Sequence, residues 1–183
     1  MDPPEGVEAI SWMLLTTCPV SNFDLAMEKV TWYIRRWWIE VYHRTLKSGC
    51  KIEERQLGSA CRLEACLAID MVVAWRIFHL AKLGREIPDV PCTVFFEEAE
   101  WKALHAHTTK NPVPPSEPPT LKTAMHWVGM LGGYRGRKGD GDPGTQTLWR
   151  GMQHLDDLKE MWLFMAKNYA PQLFSPPVSR APT

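Results

Sequence analysis

The chain has 183 residues, with 21 Lys and Arg against 21 Asp and Glu. The balance excludes a globally basic nucleic-acid binder while leaving room for a local basic patch. Hydrophobic residues at 45% and charged ones at 23% exclude wholesale disorder, and the length suffices for one domain, or two small ones, without disulfide staples.

Five cysteines, Cys18, Cys50, Cys61, Cys66 and Cys92, are odd in number and form no C-x-x-C pair, so a zinc ribbon is not expected and free thiols are. The first residues carry acids and prolines instead of a basic start and an apolar run, so no signal peptide is read there. The most apolar stretch, residues 62–80, is interrupted by Glu64, Asp70 and Arg76 and is a poor membrane span. These features predict a cytoplasmic protein with reduced thiols and no membrane partner.

In chain order, Ala9–Thr17 is a short apolar run rich in β-friendly residues that stops before Pro19, and it reads as one buried strand. The rest of the chain offers it no good neighbour, which suggests that part of a sheet is missing. After a Ser21 cap, one helical pattern runs to a stop at Gly49. A second helix is expected from Ser59 to Lys82, ending at Gly84, and a third from Phe96 to His107. The proline-rich stretch 111–119 reads as a stiff extended linker. A fourth helix begins at a Thr120 cap, carries Leu121, Ala124, Met125 and Val128 on one face, and stops at Gly132-Gly133. The glycine-rich loop 135–144 is expected to be flexible and lacks the order of a phosphate-cradling loop. The last helix, Gln146 to Asn168, repeats Leu148, Met152, Leu155 and Trp162.

The first helix is the informative one. At about 100° per residue, Tyr33, Arg36, Glu40 and Lys47 share one stripe, and Val30, Ile34, Trp37, Val41 and Thr45 form a core-facing sector about 120° away. Arg35, Arg36, Arg44, Lys47, Lys51 and Arg55 add a local basic excess interleaved with Trp32, Tyr33 and Trp38, as a DNA-facing surface needs. Periodicity alone favours reading the stripe as a solvated face with i,i+4 pairs.

The spacing Tyr33-x2-Arg36-x3-Glu40-x6-Lys47 resembles the Y-R-E-K signature of bacterial DDE insertion-sequence transposases of the Tn5 group. Such a four-position match arises by chance on the order of once in a thousand chains. Ser11-Trp12-Met13-Leu14-Leu15-Thr16-Thr17, Glu54-Arg55-Gln56, Leu131-Gly132-Gly133-Tyr134 and Leu148-Trp149 keep that group's order, so the resemblance covers about residues 3–170.

The resemblance implies DNA transposition by metal-dependent strand cleavage and transfer. In the family an RNase H-like sheet gathers two aspartates and a glutamate around two Mg2+ (or Mn2+) ions. Glu40 matches the catalytic, metal-binding glutamate. Tyr33, Arg36 and Lys47 match residues that hold transposon-end phosphates, and Trp12 matches an aromatic on which an extruded base stacks. Arg44 and Arg55 complete the candidate DNA contacts. The chain departs from the family in its carboxylates: upstream of Glu40 it has only Asp2 and Asp24 as aspartates, and neither fits the missing pair. One carboxylate cannot hold two metal ions, so no metal binding or DNA cleavage is expected from this chain alone.

The resemblance therefore implies a mainly α chain. Residues 1–58 would carry the last strand and glutamate-bearing helix of an RNase H-like domain, and residues 59–183 a helical dimerisation domain. Met125, Val128, Met152, Leu155, Met161 and Trp162 are the candidate dimer contacts. The expected partners are transposon-end DNA and a second transposase copy. A fragment that inhibits intact transposase by forming inactive dimers is the alternative, and a chain active only through a complementing polypeptide is a third reading.

Overall fold

A computed structural model describes Gly6, Glu8 and residues 11–173, with side chains as far as Tyr169. The chain divides into two compact units, Met1–Val41 and Tyr42–Thr183. Six α-helices account for most of the described residues: α1 (Phe23–Arg35), α2 (Trp37–Ser48), α3 (Ala60–Glu86), α4 (Glu98–Thr109), α5 (Leu121–Leu131) and α6 (Thr145–Leu173).

In the first unit, residues 11–17 form no strand, whereas a strand was expected over Ala9–Thr17, of which Ala9 and Ile10 lie outside the described residues. A strand needs a neighbour for its N–H and C=O groups, and no described segment pairs with this one. The cap of α1 is Asn22, whose side chain accepts from Leu25 N at 2.9 Å, in place of the expected Ser21. The single helix expected as far as Gly49 is interrupted at Arg36. There Arg36 N donates to Tyr33 O and Ile39 N to Arg36 O, both at 3.0 Å, tight i→i+3 bonds that break the α ladder. The core-facing sector is covered only towards its end. Ile34 is 63% exposed and Trp37 59%, while Thr45 is buried.

The second unit owes its core to helical periodicity. Ile77, Leu80 and Ala81 on α3, Leu121, Ala124, Met125 and Val128 on α5, and Leu148, Met152 and Leu155 on α6 recur at three- and four-residue intervals and bury together with Trp101 and Leu104 of α4. Caps set the boundaries: Ser59 accepts from Arg62 N, Thr120 accepts from Thr123 N, and α4 opens with a reciprocal Glu97–Glu100 capping box. A smaller cluster of Leu46, Cys50 and Ala74, packed with Tyr42, Ile52 and Leu67, joins the end of α2 to α3. Burial holds the thiols of Cys50 and Cys92 up at about 11, so both are protonated and inert at neutral pH.

Two expectations change here. Gly84 does not stop α3, which runs on to Glu86. The glycine is there for packing, since a Cβ would lie 3.1 Å from Met125 Cε and closer still to its sulfur. The proline-rich stretch, read as a linker within the helical domain, joins α4 and α5, which share one core. Its end is stitched down by Cys92 N donating to Pro119 O and Leu121 N to Val90 O, each at 2.8 Å. The 135–144 loop is anchored at its far end, where Pro143 is buried and Asp142 meets His126 at 2.9 Å and Arg85 and Lys122 at 3.9 Å.

The Asp142 clasp yields a pH prediction. Its carboxyl is held below the usual range, first by the hydrogen bond to His126 and further by Lys122, His126 and Arg85, against the opposing effect of burial. A depressed folded pKa means stability present above the unfolded value, about 4, and lost as pH falls through the folded one. Asp142→Asn is therefore expected to cost about 1 kcal/mol at pH 7 and almost nothing at pH 2. Thermal melts of both proteins at the two pH values check this, and a gap that persists in acid would refute it.

Candidate functional site

In the first unit the structure brings together three of the four signature-stripe residues and the candidate stacking tryptophan. Arg36 Nη1 donates to Glu40 Oε1 at 2.8 Å, and the guanidinium lies 5.6 Å from the Tyr33 ring centre. Tyr33 in turn meets Trp12 edge-on, with centroids 6.1 Å apart and planes at 88°. The order Trp12, Tyr33, Arg36, Glu40 is thus a continuous run of contacts, and it survives the interruption of the ladder at Arg36. All of it is accessible. Trp12 is 73% exposed and so is no core tryptophan here, and the Arg36–Glu40 pair has side chains 55% and 43% exposed. An ion pair at that exposure is worth about 0.3–0.5 kcal/mol. Arg36 can therefore exchange Glu40 for another anion at little cost.

The same geometry fails the fit for a two-metal centre. Among the described residues no three His, Cys, Asp or Glu side chains gather as metal ligands would. No catalytic step through a metal can be assigned to these residues.

The remaining basic candidates belong to the second unit, and their surroundings differ. Lys47 is bonded to Glu53 at 2.8 Å with both side chains exposed; that hydrogen bond and charge raise the lysine's pKa, so it stays cationic. Arg44 is exposed. Arg55 is half committed to the fold: its Nη2 donates to Asp70 Oδ1 at 3.0 Å and to Cys50 O at 3.4 Å. Asp70 is buried. Its partnership with Arg55 escaped the sequence reading, because nothing in the intervening 14 residues signals it.

Of the candidate dimer contacts, Met125, Val128, Met152 and Leu155 are buried in the subunit's own core. Met161, 59% exposed, and half-buried Trp162 are at the surface. Periodicity locates an apolar stripe but not which body covers it. Other uncovered apolar side chains lie along the middle of α3, with Ile69 at 66%, Val72 at 68% and Trp75 at 53%, and around Met161 on α6, with Leu163 and Phe164. Long helices that close one core and still expose apolar side chains of this size are the make-up of an association module.

The class the fold defines is thus a helical domain suited to self-association. The family model described as Transposase Tn5 dimerisation domain matches residues 72–170, over half the chain, and the chain belongs to that family. The match spans α4, α5, most of α3 and nearly all of α6, the elements that enclose the main core. No helix among the described residues is long and apolar enough to cross a membrane.

Proposed function

We propose that this chain is the assembly part of a bacterial DDE insertion-sequence transposase. It pairs with a second transposase copy through its helical unit and holds transposon-end DNA, without cleaving DNA by itself. The observation that carries the reading is the dimerisation-domain match over residues 72–170. The exposed apolar side chains of α3 and α6 support it: Met161 and Phe164 are available to a partner without disturbing the core.

DNA contact draws its support from the exposed run Trp12–Tyr33–Arg36. Arg36 supplies a fork for a phosphate, replacing its weak pair with Glu40, and Lys47 a point charge. Trp12 offers an open indole face to an unstacked base. Glu40, as the glutamate of an RNase H-like remnant, would serve catalysis with Mg2+ or Mn2+ only where further carboxylates join it. The dimerisation-domain match also favours a second reading, in which the chain inhibits intact transposase by forming inactive dimers.

The test is binding of a duplex of about 20 base pairs, with affinity measured against salt. Arg36→Ala and Lys47→Ala should each weaken binding and lower the log–log salt slope by about 1. A duplex affinity untouched by both would overturn the DNA-holding part of the reading.

A further inference from the structure

We infer that the candidate DNA contact Arg55 belongs to a groove in the second unit, between the turn that follows α2 and the first half of α6, that binds the phosphates of a nucleic-acid strand. The cavity measures about 720 Å3; one wall is residues 48–51 with Glu54 and Arg55, and the other is Gln146, Trp149, Arg150 and Gln153. The four α6 residues are spaced i, i+3, i+4 and i+7, so a single helix stripe faces the cavity. Three of its four residues are polar, and the fourth, Trp149, also packs against the core that holds Leu148, Met152 and Leu155.

Charge decides the ligand class. The chain as a whole is neutral, yet this cavity is lined by three cations, Lys51, Arg55 and Arg150, against Glu54, with buried Asp70 behind Arg55 as the second counter-charge. Glu54 is spent on Lys51 at 3.3 Å, with side chains 70% and 65% exposed, a pair that an incoming anion displaces easily. Arg55 uses Nη2 for both Asp70 and Cys50, which fixes the guanidinium and leaves Nη1 and Nε for a ligand. Arg150 is exposed and has no acidic partner among the described residues. Two guanidinium forks and an ammonium suit phosphate oxygens, and the side-chain amides of Gln146 and Gln153 add neutral donors.

The backbone supports the assignment. Lys51 stands at φ 51°, ψ 42°, a left-handed conformation that glycine or asparagine adopts more cheaply. The fold nonetheless carries a lysine there, at the lip of the cavity. The opposite wall is firm, because the Trp149 ring packs over Gly49, where a Cβ would come within 3.3 Å of it. A strand is favoured over a small anion because Arg44, Lys47, Lys51 and Arg55 recur every three or four residues, four cations against Glu53 and Glu54. The run leads from a candidate DNA contact, Lys47, to the groove. The inference thus rests on the proposed DNA contact and extends it to a second place on the chain.

The test uses the full chain, the duplex of about 20 base pairs, and Arg150→Glu and Lys51→Gly variants. Each variant should weaken binding at least about fivefold at low salt and lower the salt slope by about 1. Lys51→Gly should do so without lowering Tm, because glycine relaxes the left-handed turn; a loss of binding accompanied by a loss of fold would not reproduce that pair of results. Wild-type affinity in both variants, with Arg36→Ala or Lys47→Ala still harmful, would overturn the groove and leave the DNA-holding reading standing. Binding lost in the groove variants but untouched in Arg36→Ala and Lys47→Ala would keep the groove and remove those end contacts. A wild-type chain that binds no duplex would overturn both.

Discussion

Gly151→Ala is expected to cost the helical unit about 3 kcal/mol or more, a large part of the roughly 5–15 kcal/mol that holds a domain together. A Cβ at Gly151 would overlap the Val128 carbonyl, whose carbon would be 2.8 Å away and whose oxygen would be nearer still. Gly132 is in the reciprocal position at the C-cap of α5: its Cβ would be 2.9 Å from the Thr147 carbonyl carbon and from Gly151 N. The two helices therefore meet backbone to backbone. No side-chain rotation relieves that clash, so α5 and α6 would have to separate and open the core that Val128, Leu148 and Met152 share. Thermal unfolding should show Tm lowered by about 6–12 °C or the transition lost. Gly144→Ala, where a Cβ meets open space, serves as the control. A Gly151→Ala protein melting with the control would refute the backbone contact.

The second large effect is at Arg76. Its Nη2 donates to Glu100 Oε1 at 2.6 Å, and the carboxylate it pairs with is 1% exposed. Oε2 of Glu100 accepts from Glu97 N at 2.9 Å to close the capping box of α4, and Lys159 reaches Oε1 only at 3.9 Å. Arg76→Ala leaves that carboxylate buried with a distant counter-charge, and breaking such a pair costs about 3 kcal/mol. Glu100→Gln added to Arg76→Ala should recover part of the loss, since a neutral amide keeps the shape and removes the stranded charge. Denaturant unfolding of the single and double variants measures this. A double variant no more stable than Arg76→Ala would show that the arginine acts through packing, for instance on Phe95, and not through the charge.

How much of this was legible in the sequence follows from what each feature depends on. Local chemistry was readable: the Thr120 cap, the end of α5 at Gly132, and the apolar stripes of α5 and α6 depend on neighbours three and four residues apart. Readings that needed a distant partner went astray. Gly84 resembles a helix stop in sequence, yet its role is set by Met125, 41 residues on. Met125, Val128, Met152 and Leu155 were read as dimer contacts because a stripe shows that it is apolar without showing whether its own chain covers it. The Asp142 clasp and the Glu100–Arg76 pair join residues on different elements and have no sequence period. At the candidate site the Tyr33–Arg36–Glu40 stripe was legible from helical spacing. Lys47 is placed in the second unit, where Glu53 holds it. The tight turn at Arg36 was not legible, and neither was the groove beside Arg150, whose two walls are almost 100 residues apart in the chain.

The central claim is that this chain is an assembly module, and its mass in solution tests that most directly. Size-exclusion chromatography with light scattering on the purified chain of 21.0 kDa should give a particle of twice that mass that dissociates on dilution. Met161→Glu and Phe164→Glu together should return it to a monomer with its helical content intact. A chain that stays monomeric at every concentration up to the millimolar range would contradict self-association.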